Sequence, residues 1–164
     1  MDVRIRKGVK PSTNVVAGDN LEHTLTITAF SRTPTGGPFV NCGPLNITVQ
    51  DFATPNQTFS SSSGPGTCTA GVGVTCTFTI ADVPVTGQTN VIKLEFTAGT
   101  PGPYCDNATA IPTNAIDDDP SNNNTGSPTC AQEAGATTPP PDGGGGGFGD
   151  DDGFGGGFGG FGSF

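Results

Sequence analysis

The sequence contains few residues of the types that most often carry enzyme chemistry. Among its 164 residues there are one histidine, one tyrosine and no tryptophan, and charged residues make up 13%. The lone His23 suggests no catalytic triad, and the sequence shows no clustered pair for general acid-base catalysis. We therefore predict that the protein is not an enzyme and that His23 is a core-edge histidine.

Long apolar runs and positive charge are also scarce. No stretch of about 18 apolar residues exists, so no membrane insertion is predicted. The net charge of −9 would repel nucleic acid and anionic membranes, which argues against both as partners. Four of the six basic residues lie in the first ten positions, and eight of the fifteen acids lie at or after Asp117. This asymmetry would favour head-to-tail association, although it also fits an unevenly charged soluble surface.

No window of helical length shows a 3.6-residue apolar stripe, whereas period-two alternation dominates before residue 130. Four segments alternate apolar and polar side chains, as a strand does when one face packs in a core. Their predicted inward residues are Leu21, His23, Leu25, Ile27 and Ala29; Leu45, Ile47 and Val49; Val74, Cys76, Phe78 and Ile80; and Ile92, Leu94 and Phe96. This pattern predicts an all-β protein.

Weaker candidate strands and frequent turn residues complete the fold prediction. The candidates are Val3 to Lys7, Thr58 to Ser62, Asn107 to Ile111 and Asn124 to Thr129. Seven to eight short strands separated by Gly- and Pro-containing turns predict an immunoglobulin-like β-sandwich over residues 1–130. Met1 to Arg4 leads straight into a strand pattern and so resembles no signal peptide, whereas the cysteines and turns are typical of an extracellular protein. We therefore interpret the chain as a mature or trimmed fragment.

The composition changes after Cys130. Residues 131–142 form a Thr/Pro-rich linker, and residues 143–164 contain only Gly, Phe, Asp and Ser. Such a tail is expected to be disordered in an isolated monomer, because it buries too little apolar surface to offset its ordering entropy. Its phenylalanines are candidate contact residues for self-association: Phe148, Phe154, Phe158, Phe161 and Phe164. Their irregular spacing favours a stacking or flexible adhesive role over regular strand donation.

The five cysteines and the composition suggest an oxidising, extracellular environment. Cys68 and Cys76 flank a Gly-rich turn, and Cys105 and Cys130 flank a second turn region, so we predict disulfides within each pair. Cys42 is left as a free or intermolecular thiol, although pairing with Cys105 or Cys130 stays open if the preceding loop folds back.

The sequence does not predict a cofactor or a metal site. Zinc would need closer cysteine pairs or additional histidines. The acidic runs Asp117 to Asp119 and Asp150 to Asp152 match no calcium-loop pattern, so we interpret them as solvated turn acids. Four asparagines begin N-x-S/T sequons and are possible glycosylation sites. They are Asn46, Asn56, Asn107 and Asn123.

Several motifs in this order resemble the Ig-like repeats of bacterial and archaeal surface proteins that are catalogued as a domain of unknown function, number eleven in that series. The motifs are Val3-Arg4-Ile5-Arg6-Lys7 followed by Pro11, Val16-Ala17-Gly18-Asp19, Leu45 to Asp51, Gly66-Thr67-Cys68, Val74-Thr75-Cys76, Asn107 to Ala110, and Asp118 to Asn123. The resemblance covers residues 2 to about 130. It implies a non-catalytic module of secreted, wall-bound or filament-forming proteins. The insertion Ser31 to Pro44 and the Gly/Phe tail depart from the pattern.

Lys7, Asp51 and Asn123 occupy strand positions of particular interest. Some Ig-like surface modules join a first-strand lysine to a last-strand asparagine by an isopeptide bond, with a buried protonated acid as catalyst. We therefore identify these three residues as a possible isopeptide trio. The alternative is a solvent-exposed Lys7.

Two functional hypotheses follow. The first is an extracellular structural subunit of a cell-surface layer or filament, which self-associates through strand edges and the Gly/Phe tail. The second is a surface adhesion module that recognises a glycan or host protein through the Ser31 to Pro44 loop. Either role places the protein at the cell surface.

Overall fold

The computed structural model describes residues 1–31 and 43–135. Cys42, most of the loop between Ser31 and Pro44, and the whole Gly/Phe tail lie outside these ranges. The described residues form nine strands and one short 3₁₀ turn, Pro120–Asn122. The strands are β1 Asp2–Lys10, β2 Asn20–Phe30, β3 Leu45–Ala53, β4 Gln57–Ser63, β5 Thr67–Gly71, β6 Gly73–Ile80, β7 Gln88–Ala98, β8 Tyr104–Pro112 and β9 Thr129–Ala131.

The strands form two antiparallel sheets, which confirms the predicted all-β sandwich. The four-stranded sheet has the order β1-β2-β7-β4, and the five-stranded sheet has the order β5-β6-β3-β8-β9. The first order matches the A-B-E-D sheet of immunoglobulin-like folds, and β3-β8-β9 matches their C-F-G sheet. The β5-β6 hairpin extends this second sheet beyond β3.

The alternation of the sequence determines which side chains form the core. All of the predicted inward residues on β2, β3, β6 and β7 are buried. Threonines and other polar residues occupy the opposite parity and face outward or lie half-buried. The shared core between the sheets therefore follows directly from the period-two pattern.

Two details differ from the sequence prediction. Residues 1–31 and 43–135 form nine strands rather than seven or eight, because Thr67–Gly71 pairs with β6 as a separate short strand. The predicted strand Asn124 to Thr129 is wrong. Asn124 makes only an isolated bridge to Thr109, and β9 begins at Thr129, because the intervening Gly126 adopts a φ of 72° and Pro128 lacks an N–H to donate.

Backbone pairing continues beyond Cys130. The amide of Gln132 donates to the carbonyl of Ser12, and the amide of Ala134 donates to the carbonyl of Val15. The first residues of the predicted linker therefore take part in the sandwich. They lie alongside the segment between β1 and β2.

Candidate functional site

A lysine and two aspartates meet in the interior between the two sheets. The Nζ atom of Lys7 lies 2.5 Å from Oδ1 of Asp51 and also contacts Oδ1 of Asp106. All three side chains are 0% exposed. The cluster therefore places an amine against two carboxyl groups where solvent does not reach.

Local strand patterns and the sheet register bring these residues together. Lys7 continues the inward parity of Val3 and Ile5 on β1. Asp51 and Asp106 lie on the inward faces of β3 and β8, where the register pairs Asp51 with Ala108 and Asp106 with Ala53. The two aspartates are therefore diagonal neighbours on one sheet, and Lys7 approaches them from the facing sheet.

His23 and Gln57 extend the cluster on its other side. The side-chain amide of Gln57 donates to the carbonyl of Cys105 at 2.9 Å, which orients its Oε1 as an acceptor towards His23. Nε2 of His23 lies 3.0 Å from that oxygen and must therefore donate. A neutral His23 then carries its proton on Nε2, and its Nδ1 is left as an acceptor.

Burial keeps both His23 and Asp106 uncharged at neutral pH. Burial lowers the pKa of His23 to about 4, and the charge of Lys7 acts in the same direction, so the ring is neutral at pH 7. Its Nδ1 lies 3.3 Å from Oδ2 of Asp106. Burial raises the pKa of Asp106 to about 8, and the charge of Asp51 adds to this effect. At pH 7 the contact therefore joins a neutral carboxyl group and a neutral imidazole and is not an ion pair.

The resulting cluster contains one ammonium, one carboxylate and one carboxylic acid. Lys7 balances the charge of Asp51, while Asp106 is uncharged. Because these side chains are closed to solvent, a dissolved substrate has no access to them. The chemistry available to this cluster is confined to its own side chains.

The structure brings Lys7 and Asp51 together but places Asn123 elsewhere. The carbonyl of Asn123 accepts from the amide of Ala110, which lies four residues along β8 from Asp106. At about 3.3 Å per residue, this separation is roughly 13 Å. Asn123 is buried there, away from Lys7. The position predicted for Asn123 is occupied by Asp106.

Sequence reasoning missed Asp106 because the predicted strand began one residue later, at Asn107. Extending the strand backwards places Asp106 on the same parity as Ala108 and Ala110, both of which are buried. An acid on the inward parity of a strand is the signal that could have identified it. Gln57 gave a similar signal, because it is a polar residue on the same parity as Phe59 and lies one residue before the predicted strand that begins at Thr58.

Both predicted disulfides are present in the structure. Cys68 and Cys76 lie directly opposite each other on β5 and β6, and Cys105 and Cys130 lie opposite each other on β8 and β9. Because Cys105 and Cys130 bind each other, neither is open to Cys42. Whether Cys42 is a free or an intermolecular thiol stays a prediction, since this residue lies outside the described ranges.

The acidic run Asp117 to Asp119 is hydrogen-bonded to strand β1 through Asp117. Oδ2 of Asp117 accepts from the amide of Val3 at 2.9 Å, and its Oδ1 accepts from the amide of Asp119 at 2.9 Å. Across residues 1–31 and 43–135, no group of three or more His, Cys, Asp or Glu side chains is arranged to hold a metal ion. The second acidic run, Asp150 to Asp152, lies outside those ranges.

The four sequons differ in accessibility. Asn46 is exposed, while Asn56 and Asn107 are half-buried and accept hydrogen bonds from Thr54 and Thr125, respectively. Asn123 is only 7% exposed, so its side chain is not presented to a modifying enzyme in the folded protein. Glycosylation at Asn46 stays a prediction, and Asn46 is the most exposed of the four sequon asparagines.

Comparison with known proteins identifies no family. No family model matches the chain, and no curated protein matches it. The resemblance to the Ig-like repeats therefore stays a prediction. In the part of the chain that the structure describes, no helix is long and apolar enough to span a membrane.

Among solved structures, the chain is similar to the pilus backbone protein RrgB of Streptococcus pneumoniae. The identity is 14%, the TM-score is 0.47, and the match covers 71% of this chain and 55% of that chain. The chain thus spans about half the length of that structure. Similarity at this level identifies neither a family nor a function for the chain.

Proposed function

We propose that this chain is an extracellular structural subunit of a cell-surface layer or filament, and that it self-associates through its strand edges and Gly/Phe tail. The observation that carries this proposal is an open groove at one side of the sandwich. The groove lies between β4 and β5, each of which is the outer strand of its sheet. Its volume is about 360 Å³.

The groove offers both apolar walls and unpaired backbone. Phe59, Phe96, Val74 and Ala53 line it together with glycines of the β5-β6 hairpin. Outer strands leave backbone N–H and C=O groups available to a segment from another chain. A segment of glycine and phenylalanine suits such a site, because glycine allows close backbone approach and phenylalanine fills apolar space. The tail of a second copy is therefore the proposed occupant.

Two further observations support a structural role. The disulfides are of a kind that persists in extracellular, oxidising environments. The buried Lys7 cluster is closed to solvent and so offers no site for a dissolved substrate. The adhesion alternative depends on the loop between Ser31 and Pro44, most of which lies outside the described residues, and no contact in the structure favours it.

Electron microscopy of the purified full-length protein tests the proposal. We expect fibres or ordered layers from the native chain and dispersed particles after deletion of residues 143–164. Ala70→Arg should also block assembly, because exposed Ala70 lines the groove. Thr69→Arg is the matched control, since Thr69 is exposed on the same strand but is not among the residues that line the groove. Dispersed native particles, or polymers unchanged by the deletion, would contradict the proposal.

A further inference from the structure

The buried Lys7 cluster has a composition that calls for an explanation. Three ionisable side chains from β1, β3 and β8 meet in a core that solvent does not reach. Burying charge costs free energy even when charges are paired, and apolar residues of similar size are often as stable or more stable. The contact between an amine and two carboxyl groups is also the arrangement from which an amide bond can form.

We propose that the Lys7 Nζ and the Asp106 side chain are joined by an intramolecular isopeptide bond, which forms within the folded protein with Asp51 as the proton carrier. The proposal does not depend on how the protein assembles.

The reaction balances within the cluster. Asp51 takes a proton from the Lys7 ammonium, and the resulting amine attacks Cγ of Asp106. An N–Cγ bond forms and the bond from Cγ to the hydroxyl oxygen breaks. Asp51 gives its proton to the leaving hydroxyl group, which departs as water, and takes the second proton from nitrogen. The products are a secondary amide, one water and a neutral Asp51, so no charge remains buried and no oxidant or cofactor is required.

The surroundings of the two carboxyl groups give them different roles. Asp106 is the acyl acceptor because its Oδ1 contacts the Lys7 Nζ while burial and the charge of Asp51 keep its carboxyl group neutral, and a neutral carboxylic acid is far more open to attack than a carboxylate. Asp51 is the base because its Oδ1 lies 2.5 Å from the Lys7 Nζ. His23 borders this carboxyl group, with its Nδ1 3.3 Å from Oδ2 of Asp106, and Gln57 fixes the tautomer of the ring.

The folded structure supplies the driving force. Reacting groups held in contact can reach effective concentrations of about 10⁵–10⁸ M, which offsets the unfavourable condensation of an amine and an acid in water. The absence of solvent around the side chains also opposes hydrolysis of the product. The bond therefore forms after folding rather than before it.

The bond would also change how the chain transmits load. Asp106 is adjacent to Cys105, which is disulfide-bonded to Cys130. A covalent path would then run from Lys7 through Asp106 and Cys105 to Cys130. Force applied to the two ends of the sandwich would bypass residues 8–104 and 107–129.

Intact mass spectrometry of the folded full-length protein tests the proposal. After prolonged incubation near neutral pH, we expect a mass lower by one water than the sequence mass corrected for its disulfides. A trypsin digest after reduction should contain residues 7–32 attached to residues 94–164, since trypsin does not cleave between Lys10 and Pro11 and no Lys or Arg follows Lys93. Cleavage before Asp117 should then leave Lys7 attached to the fragment that contains Asp106 and not to the one that contains Asn123.

Three variants complete the test. Asp106→Ala and Asp51→Ala should retain the unmodified mass, while Asn123→Ala should still lose one water. The wild-type mass and digest are decisive even if a variant fails to fold. An unmodified wild-type mass, attachment of Lys7 to residues 33–93, which include Asp51, or loss of ammonia with attachment to Asn123 would overturn the proposal.

Discussion

Lys7 and Asp51 are separated by 44 positions in the sequence and belong to different sheets, yet their side chains form a hydrogen bond of 2.5 Å inside the core. The pair connects the two layers of the sandwich at the point where Asp106 also contacts Lys7. Both the stability and the chemistry of the protein are expected to depend on it.

Replacement of Lys7 is therefore expected to destabilise the fold strongly. Lys7→Met would leave the Asp51 carboxylate buried without its counter-ion, and such losses typically cost about 3–5 kcal/mol. Loss of the proposed covalent bond acts in the same direction. Denaturant unfolding measures the change. Lys10→Met, at an exposed position on the same strand, should change the free energy of unfolding by less than about 0.5 kcal/mol. Equal changes in the free energy of unfolding for Lys7→Met and Lys10→Met would show that the buried contacts of Lys7 do not stabilise the fold.

His23 should contribute a loss of stability as the pH drops from about 6.5 towards 4. The pKa of His23 is lowered to about 4 in the folded state, mainly by burial, so an unfolded chain binds a proton at this residue before the folded chain does. The loss from this residue across this window is on the order of 3 kcal/mol. The raised pKa of Asp106 acts in the opposite direction, because the folded chain keeps a proton on this group up to about pH 8. Lys7, Asp51, Asp106 and Gln57 all face the ring, and burial outweighs their effects.

Urea unfolding at several pH values measures this dependence. His23→Phe is the comparison variant, because the chain contains no other histidine. Relative to the variant, the wild type should lose stability between pH 6.5 and 5. A difference in the free energy of unfolding between the two proteins that does not change with pH would mean that His23 makes no such contribution.

Formation of the Lys7 to Asp106 bond should slow as the pH rises through about 8. The pKa of Asp106 is raised to about 8 by burial and by Asp51, so its reactive neutral form is lost above that value. Lys7 from β1, His23 from β2 and Asp51 from β3 are the charged or titratable groups that face it. An ordinary amine acylation shows the opposite trend, because the free amine increases with pH.

The rate can be followed from protein recovered unfolded from inclusion bodies and refolded at about pH 6.5 and at about pH 9. Mass spectrometry at successive times gives the fraction that has lost water. Faster formation at the higher pH would contradict the assignment of Asp106 as the neutral acceptor.

Force measurements should distinguish a linked chain from an unlinked one. When the wild type is pulled from its two ends, residues 8–104 should release no length. Asp51→Ala cannot form the bond, so its unfolding should release roughly 300 Å at about 3.4 Å per residue, with both disulfides intact. Single-molecule stretching measures this length. Equal extension of the two proteins would mean that no covalent path joins Lys7 to Asp106.

Much of the fold could be predicted from the sequence because strand patterns are local. The inward parity of Leu21 to Ala29 follows from neighbouring residues alone and is confirmed along β2. The same rule placed Asp51 on an inner face. The partner of Lys7 could not be predicted in this way. It depends on which strand of the facing sheet lies beneath β1, and the residue predicted from the sequence was Asn123 where the structure has Asp106.

The sequence by itself determined the all-β class, the buried face of each main strand and the two cysteine pairs, because side-chain alternation and hairpin spacing are properties of short segments. Only the tertiary structure decided that Lys7, Asp51 and Asp106 share one buried cluster and that β4 and β5 border an open groove. Both features depend on the stacking and register of strands far apart in the chain, and many arrangements of those strands satisfy the same local pattern.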